Sequence, residues 1–289
     1  MCIWIILEVM NMKKLILFSI PLMFFLVSCS ISQYSESSVN VFNSVNIKGI
    51  KIFNPNGNVK IISWDGEEIK FDITKMVQGL TNLETEIKKI KVSFEQTESG
   101  ILNCTVNTPK KSDVFMTYTT DIIVRVPKRI FESVEIELSN GKIYIEDIRA
   151  KLILKTSNGK IELRRSTGVF QIKTSNGDIT LSDVQILNGD SRIESSNGKI
   201  IGSLRTADSG SLILSTKNGD IDIELFGILK MNLEMSTSNG KVEFENLNLD
   251  FAENTKKKVS GKINGGGFKL RISTSNGDVR VHGIPAIGV

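Results

Sequence analysis

Apolar and polar residues alternate with a period of two on both sides of a recurrent Asn-Gly pair. The positions three and usually five residues after the Asn are apolar, as are those four and usually six before it. This alternation predicts one strand before and one strand after a corner, with every second side chain facing a core. The residues three places after the Asn, which we expect to stack inward, are Ile143, Ile161, Ile179, Ile200, Ile221, Val242 and Val279.

The spacing of these corners predicts a solenoid with coils of about 20 residues. The corner pairs are Asn140-Gly141, Asn158-Gly159, Asn176-Gly177, Asn197-Gly198, Asn218-Gly219, Asn239-Gly240 and Asn276-Gly277. The intervals between them are 18, 18, 21, 21, 21 and 37 residues. A further pair, Asn264-Gly265, divides the last interval, so we expect two coils there, the first enlarged by the polar segment 252–262. Asn and Gly tolerate the positive φ that a sharp corner requires.

Two all-β architectures fit this pattern. Asn-Gly between alternating runs is a strong hairpin signal and would give an antiparallel β-meander. In a single-stranded parallel β-helix, equivalent residues instead stack about 4.8 Å apart, and the corner Asn side chains form an amide ladder. The residue two places after each Asn favours the β-helix, because opposite charges stabilise a stacked column. From the second corner to the sixth, its charge alternates through Lys160, Asp178, Lys199, Asp220 and Lys241.

The N-terminal half repeats the pattern in a weaker form. Asn56-Gly57 resembles a corner that lies 84 residues, or four periods of 21, before Asn140, and alternating segments lie between them. We therefore interpret residues 40–138 as degenerate coils that continue into the regular repeat of residues 139–289. Leu80–Lys89 has helical spacing and begins with a capping-box pattern, which predicts a short helix that caps an end of the solenoid.

The start of the chain has the features of an exported bacterial protein. Residues 12–29 contain a basic pair, an apolar run and the sequence Leu-Val-Ser-Cys, which resembles a lipoprotein lipobox. The resemblance implies that residues 1–28 are removed as a signal peptide and that Cys29 carries acyl chains such as palmitate. An uncleaved membrane anchor is the alternative. Residues 1–11 lack a basic segment and are interpreted as a misassigned start, and the polar composition of residues 29–39 predicts a tether.

Composition then limits the classes of function. The formal net charge of +4 is too small to indicate a nucleic-acid surface. One His and three Cys do not favour a His-based triad, a metal site or a disulfide framework, so we expect no catalytic residues, metal or cofactor. The acids that a β-helical polysaccharide-degrading enzyme would need are interleaved with lysines. The other side chains considered for a functional site are acids on neighbouring coils, a surface His, a strand Cys and two aromatic residues that could form a carbohydrate platform. They are Asp147, Asp183, Asp190, His282, Cys104, and Trp64 with Tyr118.

The order of these features resembles the bacterial putative-adhesin family of cell-envelope proteins. The resemblance covers about residues 40–282 and rests on the lipobox, the degenerate strands, Ile123-Val124-Arg125-Val126-Pro127 and the Ser-Asn-Gly-Lys-Ile repeats. It implies a right-handed β-helix that acts as a non-enzymatic, lipid-anchored binding, adhesion or scaffold module. Ser30, by resemblance to enterobacterial sorting signals, favours the outer membrane or cell surface over the inner membrane.

The same resemblance leaves the partner and the exact role open. Besides the membrane itself, the expected partner is a surface glycan or an envelope protein, and no nucleic acid. An envelope-stress sensor or regulatory lipoprotein is the alternative function. A carbohydrate-active β-helix enzyme is the third.

Overall fold

The alternating side chains put every second residue of each repeat into a shared core, and the strands stack around it. The computed structural model describes residues 31–80, 82–109, 116–227 and 229–284. The predicted signal peptide and Cys29 lie outside the described residues. The strands in chain order are β1 (Ser32–Asn43), β2 (Gly49–Asn56), β3 (Val59–Trp64), β4 (Glu68–Gly79), β5 (Lys91–Gln96), β6 (Ile101–Asn107), β7 (Thr117–Pro127), β8 (Ile130–Asn140), β9 (Ile143–Glu146), β10 (Arg149–Asn158), β11 (Ile161–Arg164), β12 (Thr167–Gly168), β13 (Phe170–Asn176), β14 (Ile179–Ile186), β15 (Asp190–Asn197), β16 (Ile200–Thr206), β17 (Ser211–Asn218), β18 (Ile221–Phe226), β19 (Met231–Asn239), β20 (Val242–Glu245), β21 (Leu249–Asn254), β22 (Lys258–Ile263), β23 (Phe268–Asn276) and β24 (Val279–Ile284). A helix, α1 (Leu83–Ile87), lies between β4 and β5.

Strands on the two sides of the corners form two continuous stacks. The pre-corner stack has the spatial order β21-β22-β19-β23-β17-β15-β13-β10-β8-β2-β6-β5. The post-corner stack has the order β20-β24-β18-β16-β14-β11-β9-β3-β7-β4-β1. The middle of each stack is parallel, whereas β1, β4, β5, β21 and β22 pair in the antiparallel direction at the ends.

The fold is therefore the predicted parallel β-helix. Ile179 lies in register with Ile161 on one side and with Ile200 on the other, and Ile200 lies in register with Ile221. All four side chains are fully buried in one hydrophobic core. The strands that flank Asn176-Gly177 pair in parallel with neighbouring coils, which excludes the antiparallel meander.

At the C-terminal end, the order of coils in space differs from their order in the chain. The coil with corner Asn276 is inserted between the coils of Asn218 and Asn239. Residues 249–263 form the antiparallel hairpin β21–β22 on the outer side of β19, instead of the expected coil, and Asn264 lies in the turn that follows. The prediction differed because two-residue alternation identifies a strand but not its direction or its partner.

The N-terminal end shows the same kind of difference. The coil with corner Asn56 lies directly beside that of Asn140, and β6 and β7 form one degenerate coil on its outer side. Strands β1, β4 and β5 are then added in the antiparallel direction. Residues 40–138 thus contain the Asn56 coil, one degenerate coil and several antiparallel strands, in place of the expected series of coils.

The predicted helix is present but shorter than expected. It spans Leu83–Ile87 rather than residues 80–89 and packs against β4 and β1. Its N-cap residue is Asn82, which has a left-handed φ of 57° and makes no side-chain capping hydrogen bond. The first residue of the proposed capping box, Thr81, lies outside the described residues. Burial of Ile87 in the core, rather than a cap, fixes this helix.

The segment predicted as a polar tether is largely an edge strand. Strand β1 pairs with β4 along its whole length, from Ser32 opposite Gly79 to Asn43 opposite Glu68. Most of its side chains are exposed, and Tyr34 and Phe42 pack against the core. A strand held by backbone hydrogen bonds to one neighbour needs little apolar alternation, which is why its composition predicted a tether.

Candidate functional site

The corner asparagines form one hydrogen-bonded column. Each Nδ2 donates to the Oδ1 of the next Asn in the stack over 2.7–2.9 Å. The column runs in one direction through Asn239, Asn276, Asn218, Asn197, Asn176, Asn158, Asn140 and Asn56. Because stacked amides satisfy each other's donors and acceptors, the column fixes the register between coils.

Close approach between coils explains the corner glycines. A Cβ on Gly177 would lie 2.0 Å from the carbonyl oxygen of Gly159. For all the corner glycines, a Cβ would lie 1.9–2.2 Å from the carbonyl oxygen of a residue on the neighbouring coil. Positive φ values of 124–155° occur at Gly57, Gly141, Gly219 and Gly277. Lack of space for a side chain is therefore the shared reason for glycine here, and positive φ applies to only some corners.

A row of hydroxyl groups lies two residues before the corners. Thr174 Oγ1 donates to the carbonyl oxygen of Gly159, and equivalent hydroxyls donate to corner glycines over 2.8–3.3 Å. The equivalent residues are Thr156, Ser195, Thr216, Thr237 and Thr274. These bonds satisfy partly buried carbonyl groups at the corner, so the Thr/Ser-x-Asn-Gly motif has a structural role.

The charged column two places after the Asn differs from the predicted alternation. Lys199 lies between Asp178 and Asp220, and its Nζ is 3.2 Å from Asp220 Oδ2. Because the last coil is inserted, Asp220 has Asp278 as its other neighbour, and Lys241 lies beyond Asp278. Each of the three aspartates accepts the backbone N–H of the next residue in the column, over 2.8–3.1 Å. The backbone N–H of Asp278, and then Lys199, lower the pKa of the Asp220 carboxyl.

The candidate acids on neighbouring coils lie in ion pairs or hydrogen bonds. Asp147 and Asp183 occupy equivalent turn positions with positive φ, and Arg165 is stacked between them. Arg165 donates to both carboxylate oxygens of Asp147 over 2.8 and 3.0 Å. Asp190 lies in another part of its coil and accepts a hydrogen bond from Ser211 over 2.6 Å. The fold therefore does not bring any two of these three acids together as a catalytic pair.

Trp64 and Tyr118 do not form a shared platform. Trp64 donates from Nε1 to the carbonyl oxygen of Glu68 over 2.9 Å, and Lys70 Nζ lies 4.5 Å from its ring centroid. Tyr118 is buried, and its hydroxyl donates to Glu86 Oε2 over 2.5 Å. Both rings are held by local contacts on different parts of the N-terminal end.

The remaining reactive side chains also have structural surroundings. Cys104 is buried in β6, as predicted for a strand residue, and burial raises the pKa of its thiol to about 12. His282 lies partly exposed on β24, with Nε2 3.5 Å from Asp222 and Nδ1 3.4 Å from Glu245. Over the described ranges, no three His, Cys, Asp or Glu residues converge as a metal site. No helix in that part of the chain has the length and apolar character to cross a membrane.

A groove at the C-terminal end is the candidate binding site that sequence reasoning missed. It lies on the outer face of β17, β23, β19, β22 and β21, has a volume of about 680 Å³ and is open to solvent. We call it the C-terminal groove. A register shift in β21 between Phe251 and Glu253 bends the hairpin, and Gly261 allows close approach to the carbonyl oxygen of Asp250. The only sequence signal was the enlarged polar segment 252–262.

Two rows of outward-facing residues form the floor of the C-terminal groove. The first row runs across five strands through Ser211, Lys269, Asn232, Lys262 and Asp250. The second contains Ile213, Arg271, Glu234 and Ser260.

The charges of the groove are only partly neutralised. Arg271 donates from Nε to Glu234 over 2.9 Å, and Lys258 forms an ion pair with Glu253 over 2.6 Å. Among the described residues, no carboxylate forms an ion pair with Lys262 or Lys269. The groove therefore presents two ammonium groups outside these ion pairs, together with the Asp250 carboxylate and neutral hydrogen-bonding side chains.

Comparison with known proteins finds distant structural likenesses and one family match. No curated protein matches this chain significantly. A putative adhesin from Bacteroides fragilis is 12% identical with a TM-score of 0.43, covering 86% of this chain and 97% of its own. A putative cell adhesion protein from Clostridium sporogenes is 10% identical with a TM-score of 0.38, covering 87% and 100%. A putative lipid binding protein from Parabacteroides distasonis is 10% identical with a TM-score of 0.30, covering 86% and 96%.

These low scores and identities do not transfer a function to this chain. The family model described as Toastrack DUF4097 matches residues 47–202 and 171–282, which together include the corners from Asn56 to Asn276. Its two overlapping matches follow the repeat itself, as expected for a family defined by a stacked coil. The chain belongs to the Toastrack DUF4097 family.

Proposed function

We propose that this chain is a lipid-anchored, non-enzymatic binding protein of the bacterial cell envelope whose C-terminal groove binds an acidic surface glycan. The observation that carries the proposal is that Lys262 and Lys269 line the groove and, within the described part of the chain, form no ion pair, so that basic groups outnumber the single acidic residue, Asp250, in their row. Carboxylates or phosphates of a glycan would form charge-assisted hydrogen bonds with them. Asn232, Ser211 and Ser260 supply neutral groups for sugar hydroxyls.

The shape of the groove fits an extended ligand. Its floor crosses five strands, so it is long and shallow, in contrast to the deep pocket typical of a small-molecule site.

Anchoring is proposed from the lipobox at Cys29. A Cys29→Ala variant is expected to lose metabolic labelling with a palmitate analogue and to leave the membrane fraction. A variant that remains in the membrane fraction without label would show instead that the apolar run is an uncleaved anchor.

Binding is tested with purified protein and a panel of acidic and neutral polysaccharides, measured by calorimetry. We expect an acidic glycan to bind, and the double substitution Lys262→Glu and Lys269→Glu to weaken its binding by roughly tenfold or more. The matched control is Lys173→Glu, an exposed lysine on the same stack outside the groove, which should not change the affinity. Equal affinity of the unmodified protein, the double variant and the control, or no binding to any glycan, would refute the proposal that the groove binds a glycan. Depolymerisation of a glycan would show that the protein is an enzyme.

A further inference from the structure

Strand β1 leaves very little chain between the proposed lipid and the folded domain. Only Ser30 and Ile31 separate Cys29 from Ser32, the first residue of β1. Three extended residues span at most about 11 Å, so the covalent chain itself limits how far β1 can lie from an acylated Cys29. Ser32 pairs with Gly79, so the end of β4 is subject to the same limit.

The start of β1 lies on a lobe that extends past the corners. Ile122 of β7 is level with Val59, the first residue of β3 after the Asn56-Gly57 corner, and pairs with Ile73 of β4. From that level β4 continues to Gly79, and β1 pairs with it to the same end. Helix α1 packs against this extension, which we call the N-terminal lobe.

The tip of the N-terminal lobe exposes apolar side chains. Ile31 is 67% exposed and Leu80 is 40% exposed. Leu83 of α1 is partly buried and packs over Gly79. Its Cδ2 atom lies 3.3 Å from the place that a Cβ on Gly79 would occupy. Exposed apolar side chains are favoured at a bilayer surface, because they can enter the boundary between headgroups and acyl chains.

We propose that the tip of the N-terminal lobe lies against the lipid bilayer, so that the domain sits directly on the membrane without a tether. This inference rests on the acylation of Cys29 in the proposed function. It also sets the distance between the anchored lobe and the binding site. The hairpin β21–β22 lies at the opposite end of the solenoid, and the ten strand spacings from β1 to β20 correspond to about 48 Å along its axis. The C-terminal groove would thus lie at the end of the solenoid away from the anchored lobe.

The test uses the acylated full-length protein in phosphatidylethanolamine–phosphatidylglycerol vesicles that contain a headgroup nitroxide lipid. A fluorescent probe is attached at Leu80→Cys, and the matched control carries it at Asn254→Cys, on the far hairpin. Cys104 is buried and should not compete for the label. A third protein has twelve Gly-Ser residues inserted between Ser30 and Ile31, which adds a flexible linker of about 20 Å.

The expected result is quenching of the probe at position 80 and none at position 254, with weaker quenching at position 80 on insertion of the linker. Equal quenching at both positions would overturn the direct seating of the lobe. These outcomes are scored only on protein that carries lipid and floats with the vesicles. If the protein carries no lipid, both the proposed anchoring and the seating of the lobe are wrong. If it carries lipid but shows no quenching at position 80, only the seating is wrong.

Discussion

The charged column after the corners offers a direct test of the stacking order. Lys199→Asp would place carboxylates at positions 178, 199, 220 and 278 as successive neighbours, because Asp220 already lies beside Asp278. The sequence order alone would give three acids in a row, with Lys241 next. The substitution would remove the ion pair between Lys199 and Asp220 and reverse the sign of both contacts of residue 199.

The magnitude follows from the spacing of the column. At about 5 Å in a water-like dielectric, one contact between unit charges is worth about 0.8 kcal/mol. Reversing the sign of two such contacts changes the unscreened energy by about 3 kcal/mol. A Debye length of about 8 Å in physiological salt reduces this to about 2 kcal/mol, and one of about 3 Å in molar salt reduces it to about 0.6 kcal/mol.

The assay is urea unfolding of the purified protein at low and high salt, followed by far-ultraviolet circular dichroism. Two controls separate charge repulsion from other effects. Lys199→Gln removes one exposed ion pair and should cost roughly 0–1 kcal/mol. Lys173→Asp makes the same change of charge between Lys155 and Glu194, where the new contacts offset one another, and should be nearly neutral.

A salt-independent loss of stability in Lys199→Asp would refute the electrostatic reasoning. A loss of stability equal to that of Lys173→Asp would refute the claim that residues 178, 199, 220 and 278 are stacked neighbours. The added carboxylate could also accept the backbone N–H of Asp220, as Asp178 accepts that of Lys199. A loss well below 2 kcal/mol that still shrinks with salt would measure this compensating bond.

Further predictions concern the core, the corners and the titrating groups. Ile179→Ala should cost roughly 2–5 kcal/mol in urea unfolding, because the side chain is fully buried between two coils. Gly177→Ala should cost more than about 2 kcal/mol, although its φ lies outside the left-handed region, because the new Cβ would meet the carbonyl oxygen of Gly159; a neutral result would contradict the close-approach explanation. Cys104 should resist iodoacetamide at pH 8 in the native protein and react after denaturation, since burial raises the pKa of its thiol to about 12. Asp220→Asn should destabilise the protein at pH 7, and this difference should vanish as the pH falls well below 3.8, because a carboxyl whose pKa is lowered on folding stabilises only while it is charged.

The sequence by itself determined the coil and its register. Period-2 alternation around Asn176-Gly177 identified the strands on both sides of the corner, and the equivalent positions of Ile161 and Ile179 identified the inward column. These features are local, because alternation sets which side chains face the core and the glycine of the motif allows adjacent coils to approach. The amide ladder follows from the same register once Asn occupies every corner.

Only the tertiary structure decided which coil lies beside which. Repeats with nearly identical edges can pair with one another in several orders, so a local pattern does not place the Asn276 coil between those of Asn218 and Asn239. The choice depends on the ends, where the hairpin β21–β22 covers β19 and buries Leu249 and Val259. The bend of that hairpin forms the C-terminal groove. Backbone pairing with β4 makes β1 a strand, although its polar composition predicted a tether. Neither feature was visible in the local pattern, because each depends on pairing with another strand.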